Sequence, residues 1–254
     1  MYILEGVAPN SGYHQLYEQI SKYLSEGYAV VYVVESNPSQ VASKIAGVDP
    51  KSKRFLESKA LTLIDKNTFY LPKKMNFYGR PMLDEWYSLL SKIKENGSFK
   101  GFLVMGMLPD AFFERGVNQK KIVEYEKLVA KNFDNLSGIE AVCCYTMGCI
   151  ERLPLSYILG LLNSHQRIIY PDFERFVWTP EKGIEVVKNA LNRFFPNETS
   201  KLILKTAGNY AADGNIISQP EAFEESIRGM FGKSADIIFD SIKSEIKKEI
   251  LSRP

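Results

Sequence analysis

Apolar positions switch between two spacings along the first two thirds of the chain, and the switches divide it into elements. Tyr2–Val7 is a short apolar run, and Ala29–Val34 (AVVYVV) is a continuous one. An unbroken β-branched run predicts a strand buried on both faces. Between the two, Leu16, Ile20, Tyr23 and Leu24 recur at helical spacing, so Met1–Glu35 reads as strand, loop, helix, strand. Pro38 in the first turn, with Ser36 or Asn37 as cap, then opens a helix over Ser39–Ala46. A short helix over Lys53–Ser58, a strand at Leu61–Ile64 and an amphipathic helix over Met82–Glu95 follow. The next strand is Gly101–Met107. Gln119–Phe133 reads as a helix with the stripe Ile122, Tyr125, Val129 and Phe133, and Ile139–Tyr145 as the fifth strand. A helix over Leu153–Ser164 and a last strand at Arg167–Tyr170 complete the series. Strands alternating with helices predict an α/β fold with a doubly wound, mostly parallel sheet.

Two segments break this pattern. Lys66–Pro81 has no period yet carries Phe69, Tyr70, Phe77 and Tyr78, and a loop of that length is often a lid or binding loop. Its aromatics are too many to leave in water, so they cover a ligand, the chain's tail or a partner chain. Pro171–Pro180 reads as a linker. Beyond it the spacing is helical only, over Glu181–Phe195, Ser200–Tyr210, Pro220–Phe231 and Ser234–Leu251, the last with Ile237, Ile238, Ile242, Ile246 and Ile250 as its stripe. The expected division is an α/β domain at 1–173 and a small helical domain at 174–254. So small a bundle is marginal alone, which predicts that it docks on the first domain, self-associates or meets a protein partner through 174–254.

Composition narrows the function classes. Apolar residues at 45% and charged residues at 24% of 254 are ordinary globular values. A net charge of +2 supplies no basic field, and no Arg/Lys cluster marks a recognition helix, so a nucleic-acid partner is not expected. With no 18-residue apolar run and no leader pattern, a cytoplasmic protein without a membrane partner is expected. The three cysteines, Cys143 and Cys144 adjacent, suit free thiols in a reducing compartment.

Candidate chemistry starts in the first loop. Gly6 and Gly12 come close to the phosphate-binding pattern G-x-x-x-x-G-K-[ST], but five residues separate them, and Tyr13 and His14 stand where Lys and Ser or Thr are needed. Pro9 removes one N–H from the cradle. The strand at Gly101–Met107 also ends without the acid that would hold magnesium. Such a loop recognises without hydrolysing, so no catalytic residue, cofactor or metal is expected. The candidate ligand set joins Gly6, Gly12, Tyr13 and His14 to Glu35 and Tyr145 at strand ends, where open α/β sheets bind ligands. Glu126, about 100° from Tyr125 on its helix, would face the same crevice, and Tyr70 would cap it. His165, near a strand end, completes the set. A zinc site on Cys143, Cys144, Cys149 and His165 is disfavoured because adjacent strand residues point to opposite faces. A Cys144–His165 nucleophile pair lacks an acid placed by sequence to orient the imidazole.

The opening through Tyr32-Val33-Val34, Trp86, Glu124-Tyr125-Glu126, Ala141–Tyr145 and Leu162-Asn163-Ser164-His165 occur in register. On these motifs residues 1–173 resemble a MEDS domain, the methanogen and methylotroph sensory domain, itself similar to RecA- and KaiC-type folds without a working phosphate loop. The chain departs from that pattern at Thr146 and Gln166. The tail, with Pro220–Glu224 and Met230-Phe231-Gly232, resembles small helical output domains of archaeal sensors. The resemblance implies a non-catalytic sensory or regulatory protein that binds an unknown small molecule at the carboxyl edge of the sheet and signals through its helical tail. The alternative is a ligand-free adaptor or oligomerisation protein on a degenerate scaffold.

Overall fold

The computed structural model describes residues 2–4, 11–34, 37–70, 79–107, 119–133, 138–165, 168–169, 175–176, 178–208 and 219–251. Its contacts divide into two units, residues 1–149 with 171–174, and residues 150–170 with 175–254. The apolar runs of the first unit become strands β1 (Tyr2–Leu4), β2 (Ala29–Val34), β3 (Leu61–Asp65), β4 (Phe102–Gly106) and β5 (Ile139–Thr146). They lie in the order β3-β2-β4-β5-β1, and every pairing is parallel. The α/β fold with a parallel sheet that the alternating pattern predicts is therefore present. All six residues of β2 are buried, as its unbroken apolar run requires.

Helices α1 (Ser11–Ser25), α2 (Pro38–Val48) and α3 (Ser52–Glu57) belong to the first half of this unit. Asn37 caps α2 by accepting from the Ser39 N–H at 2.8 Å, with Pro38 in the first turn. Helices α4 (Lys66–Tyr70), α5 (Gly79–Glu95) and α6 (Gln119–Phe133) supply the core that covers the sheet. That core joins Ala29, Val31 and Val33 of β2 and Val104 of β4 to Phe69, Tyr70, Trp86, Ile122, Tyr125 and Phe133. The odd-numbered residues of β2 appear together because strand side chains alternate between faces.

Helix α4 corrects the expectation of a loop beginning at Lys66. The Asp65 carboxylate accepts from the N–H groups of Asn67 and Thr68 at 2.9 and 3.1 Å, which starts a turn directly from the end of β3. Phe69 and Tyr70 then insert against Trp86, with ring centroids 4.4 and 6.4 Å away. These two aromatics are core, while Phe77 and Tyr78 lie outside the described residues.

The second unit holds α8 (Leu155–Ser164), α9 (Pro180–Leu191), α10 (Asn197–Gly208), α11 (Pro220–Phe231) and α12 (Ala235–Leu251), with α7 (Met147–Arg152) leading into it. Strands β6 (Ile168–Ile169) and β7 (Arg175–Phe176) pair antiparallel. The segment read as a linker thus carries a strand. It also buries Trp178, whose indole N–H donates to Asn163 at 3.1 Å, and Thr179 caps α9. Residues 150–170 fall with this helical unit, whereas the sequence pattern sets the boundary after 173. Helix α8 buries seven of its residues from Leu155 to Leu162, and it packs on α11 and α12. On α12 the buried stripe is Ile238, Phe239, Ile242, Ile246 and Ile250, while Ile237 points outward at 61% exposure. Among the described residues no helix is long and apolar enough to cross a membrane.

Candidate functional site

Helix α6 carries one acid where its apolar stripe calls for a hydrophobic residue. Glu126 is four residues after Ile122 and three before Val129, a spacing that puts all three on one face. Its side chain is 1% exposed, beneath the helix rather than on a solvated edge. Strand β5 meets it with Cys143 and Tyr145, which share a face because they are two residues apart. The Cys143 thiol donates to Oε2 of Glu126 at 2.8 Å, and the Tyr145 phenol lies close enough to the same carboxyl to favour its ionised form. The Trp86 indole of α5 donates to the Tyr125 hydroxyl at 2.9 Å, which fixes both rings beside the acid.

These side chains border a cavity whose space open to the centre of a water molecule is ≈ 20 Å³. Its lining comprises Tyr70, Trp86, Tyr125 and Phe133, the apolar Val104, Val129, Ala141 and Val142, and Gly106, Glu126 and Cys143. Gly106 is required at the end of β4: a Cβ there would lie 2.1 Å from the Tyr70 hydroxyl oxygen. The missing side chain is what lets Tyr70 reach over the strand.

Burial governs the electrostatics. It raises the Glu126 carboxyl above its ordinary range, although the hydrogen bond from Cys143 and the nearby Tyr145 phenol pull it back. Loss of water, then the nearby carboxyl, pushes the Cys143 thiol and the Tyr145 phenol well up. Tyr70 and Tyr125 are raised for the same leading reason. Cys144 faces the other way on β5 and is pushed up to about 12 by burial. A thiol held so far above neutrality is not a nucleophile at physiological pH.

Of the expected site residues, Tyr70 and Glu126 line this cavity and Tyr145 reaches the acid from the sheet. Gly12 is in the first turn of α1, where Tyr13 stacks near Tyr17 at 6.2 Å. His14 is exposed and sits 3.4 Å from Glu18, one turn on. Gly6 and Glu35 lie outside the described residues. His165 belongs to the second unit, where its Nδ1 meets the Leu161 carbonyl at 2.7 Å and burial lowers it to about 3. Sequence reasoning did not place Trp86 or Tyr125 in the site and weighed Cys143 only as a metal ligand. The usable signals were the i, i+2 pairing of Cys143 with Tyr145 and the place of Glu126 within the stripe.

Residues 8–166 match the family described as the MEthanogen/methylotroph, DcmR Sensory domain, MEDS. The chain belongs to the MEDS family. The match takes in every described residue that lines the cavity, together with strands β2 to β5. MEDS is a sensory domain, so the chain carries a sensory module. No curated protein and no solved structure matches it.

Proposed function

We propose that this protein is a non-catalytic, cytoplasmic sensor whose MEDS domain takes a small molecule into the cavity beside Glu126 and passes the bound state to its helical C-terminal residues. The observation that carries this reading is an acid at 1% exposure bordering a cavity. Burying a carboxyl is costly unless its hydrogen bonds are met, and a stability core has no need of one. The strand order β3-β2-β4-β5-β1 supports a RecA-like scaffold, and Gly106-Met107 at the end of β4 supplies no acid for magnesium. Raised thiols and phenols support binding over chemistry. A ligand that favours one arrangement of the site shifts the population by its difference in affinity for the two.

The test is thermal unfolding of the full chain against nucleotides and common metabolites, since a ligand for the native state alone raises apparent stability. A dose-dependent rise for a compound, lost in Glu126→Gln, is the expected result. Flat curves across the panel, or magnesium-dependent phosphate release from ATP, would count against the reading. A second reading, the adaptor, is favoured by one observation: Leu202 at 63% and Ile237 at 61% exposure are large apolar residues in the helical unit. Light scattering of a Leu202→Glu/Ile237→Glu variant separates the two, because a sensor keeps its ligand response whether or not it self-associates.

A further inference from the structure

We propose that α11 pairs with α11 of a second copy of this chain, antiparallel about a two-fold axis at Gly229. This goes beyond the sensory reading and holds whatever the cavity binds. The glycine comes first. Gly229 is exposed in the last turn of α11, and a Cβ there would meet nothing within 4 Å. Its backbone is helical, so neither conformation nor crowding within the chain calls for glycine, which weakens a helix relative to alanine. Close approach of a backbone from outside the chain does call for it.

Charge gives the direction. Glu225 lies four residues before Gly229 and Lys233 four after it, both exposed and neither with an ionic partner among the described residues. Residues four apart follow one helix face, and Lys233 stands just past the helix end. A two-fold axis at Gly229 brings Glu225 of each copy beside Lys233 of the other, so one contact makes two ion pairs. A parallel pairing would set like charges together instead. The balance of signs selects the occupant. Helix α11 and the turn after it expose Glu221, Glu225, Arg228 and Lys233, and Asp236 holds Arg228 at 2.9 Å. A nucleic acid, an anionic membrane or a basic peptide needs one sign in excess, whereas a second copy needs both.

Apolar surface supplies the strength. Met230 is 38% exposed and runs into Phe231, whose ring centroid is 5.3 Å from that of Phe195. Phe195 in turn lies 6.3 Å from Phe194, which is 44% exposed. The N–H groups of Phe194 and Phe195 both donate to the Leu191 carbonyl at 3.0 Å, which holds the two residues at the end of α9. Antiparallel helices related by a two-fold meet along the same flank, so this patch covers its own copy. Surface ion pairs add little affinity, so the rings set strength and the charges set register.

The experiment is sedimentation equilibrium of the full chain, without added ligand, over a range of concentrations. The expected result is a reversible dimer. Gly229→Gln, which has room within the chain and favours the helix, should weaken the dimer by about tenfold or more while unfolding at the wild-type temperature or above. Glu225→Lys and Lys233→Glu should each weaken it several-fold, and the double variant that exchanges the two charges should restore it. A monomer at every concentration would overturn the pairing, as would a dimer indifferent to Gly229→Gln or a charge exchange that fails to restore association. None of these outcomes touches the ligand response, so the sensory reading stands or falls separately.

Discussion

Glu126 and His165 set opposite limits on stability, and their signs can be worked out one at a time. Burial raises the Glu126 carboxyl from its ordinary 4.5, so the unfolded chain ionises first as pH climbs. The contribution is fully present below 4.5 and is lost as pH rises through the folded value, by up to about 1.4 kcal/mol per pH unit. Glu126→Gln keeps the shape and removes the ionisation. Urea unfolding should find it equal to the wild type near about pH 4 and more stable at about pH 7. Parallel profiles for the two proteins would mean that the acid is solvated after all. His165 runs the other way. Its imidazole is lowered from 6.5 to about 3, so the unfolded chain takes the proton first, and stability drains away as pH falls below 6.5. His165→Gln, which retains a donor for the Leu161 carbonyl, should flatten this acid limb and leave the neutral plateau unchanged.

At the scale of elements, the contact between α4 and β4 has no room for one added methyl group. Gly106→Ala would press its Cβ on the Tyr70 hydroxyl, and Tyr70 is wedged between Phe69 and Trp86 and cannot swing aside. Overpacking of this kind costs about 1–3 kcal/mol. Tyr70→Phe deletes the colliding oxygen, so the double variant should recover part of that loss, read as a favourable coupling in denaturant midpoints. Strict additivity would show that the clash is relieved elsewhere. The same junction marks where the sequence was legible and where it was not. Gln119–Phe133 and Pro220–Phe231 were readable to the residue because their apolar stripes run for several turns. Lys66–Tyr70 was not, since five residues are too few to display a period and its start depends on the Asp65 cap. Strand β7 hides for the same reason: two residues carry no alternation. Glu126 was legible as a candidate, but its helix face was misjudged, because a charged residue inside an apolar stripe reads as an edge until packing is seen.

Across the whole chain, the position of α8 decides how the molecule can be divided. Alternation of strands and helices groups Leu155–Ser164 with the sheet, yet its partners are α11 and α12. Ser156 adds a hydrogen bond of 2.7 Å to Glu224, and Trp178 ties Asn163 into the same unit. A chain ending at residue 173 would strip these helices from Leu155, Ile158, Leu159, Leu161 and Leu162, all now buried. Exposing a buried Leu or Ile costs about 1.5–3 kcal/mol, so five of them rival the ~5–15 kcal/mol that hold an entire domain folded. Residues 1–173 should therefore aggregate, or bind a hydrophobic dye strongly, under conditions in which the full chain does neither. Size-exclusion chromatography with light scattering on both chains is the measurement. A monomeric 1–173 that unfolds cooperatively would show that α8 can change partners, and would return the division to the place the sequence pattern put it.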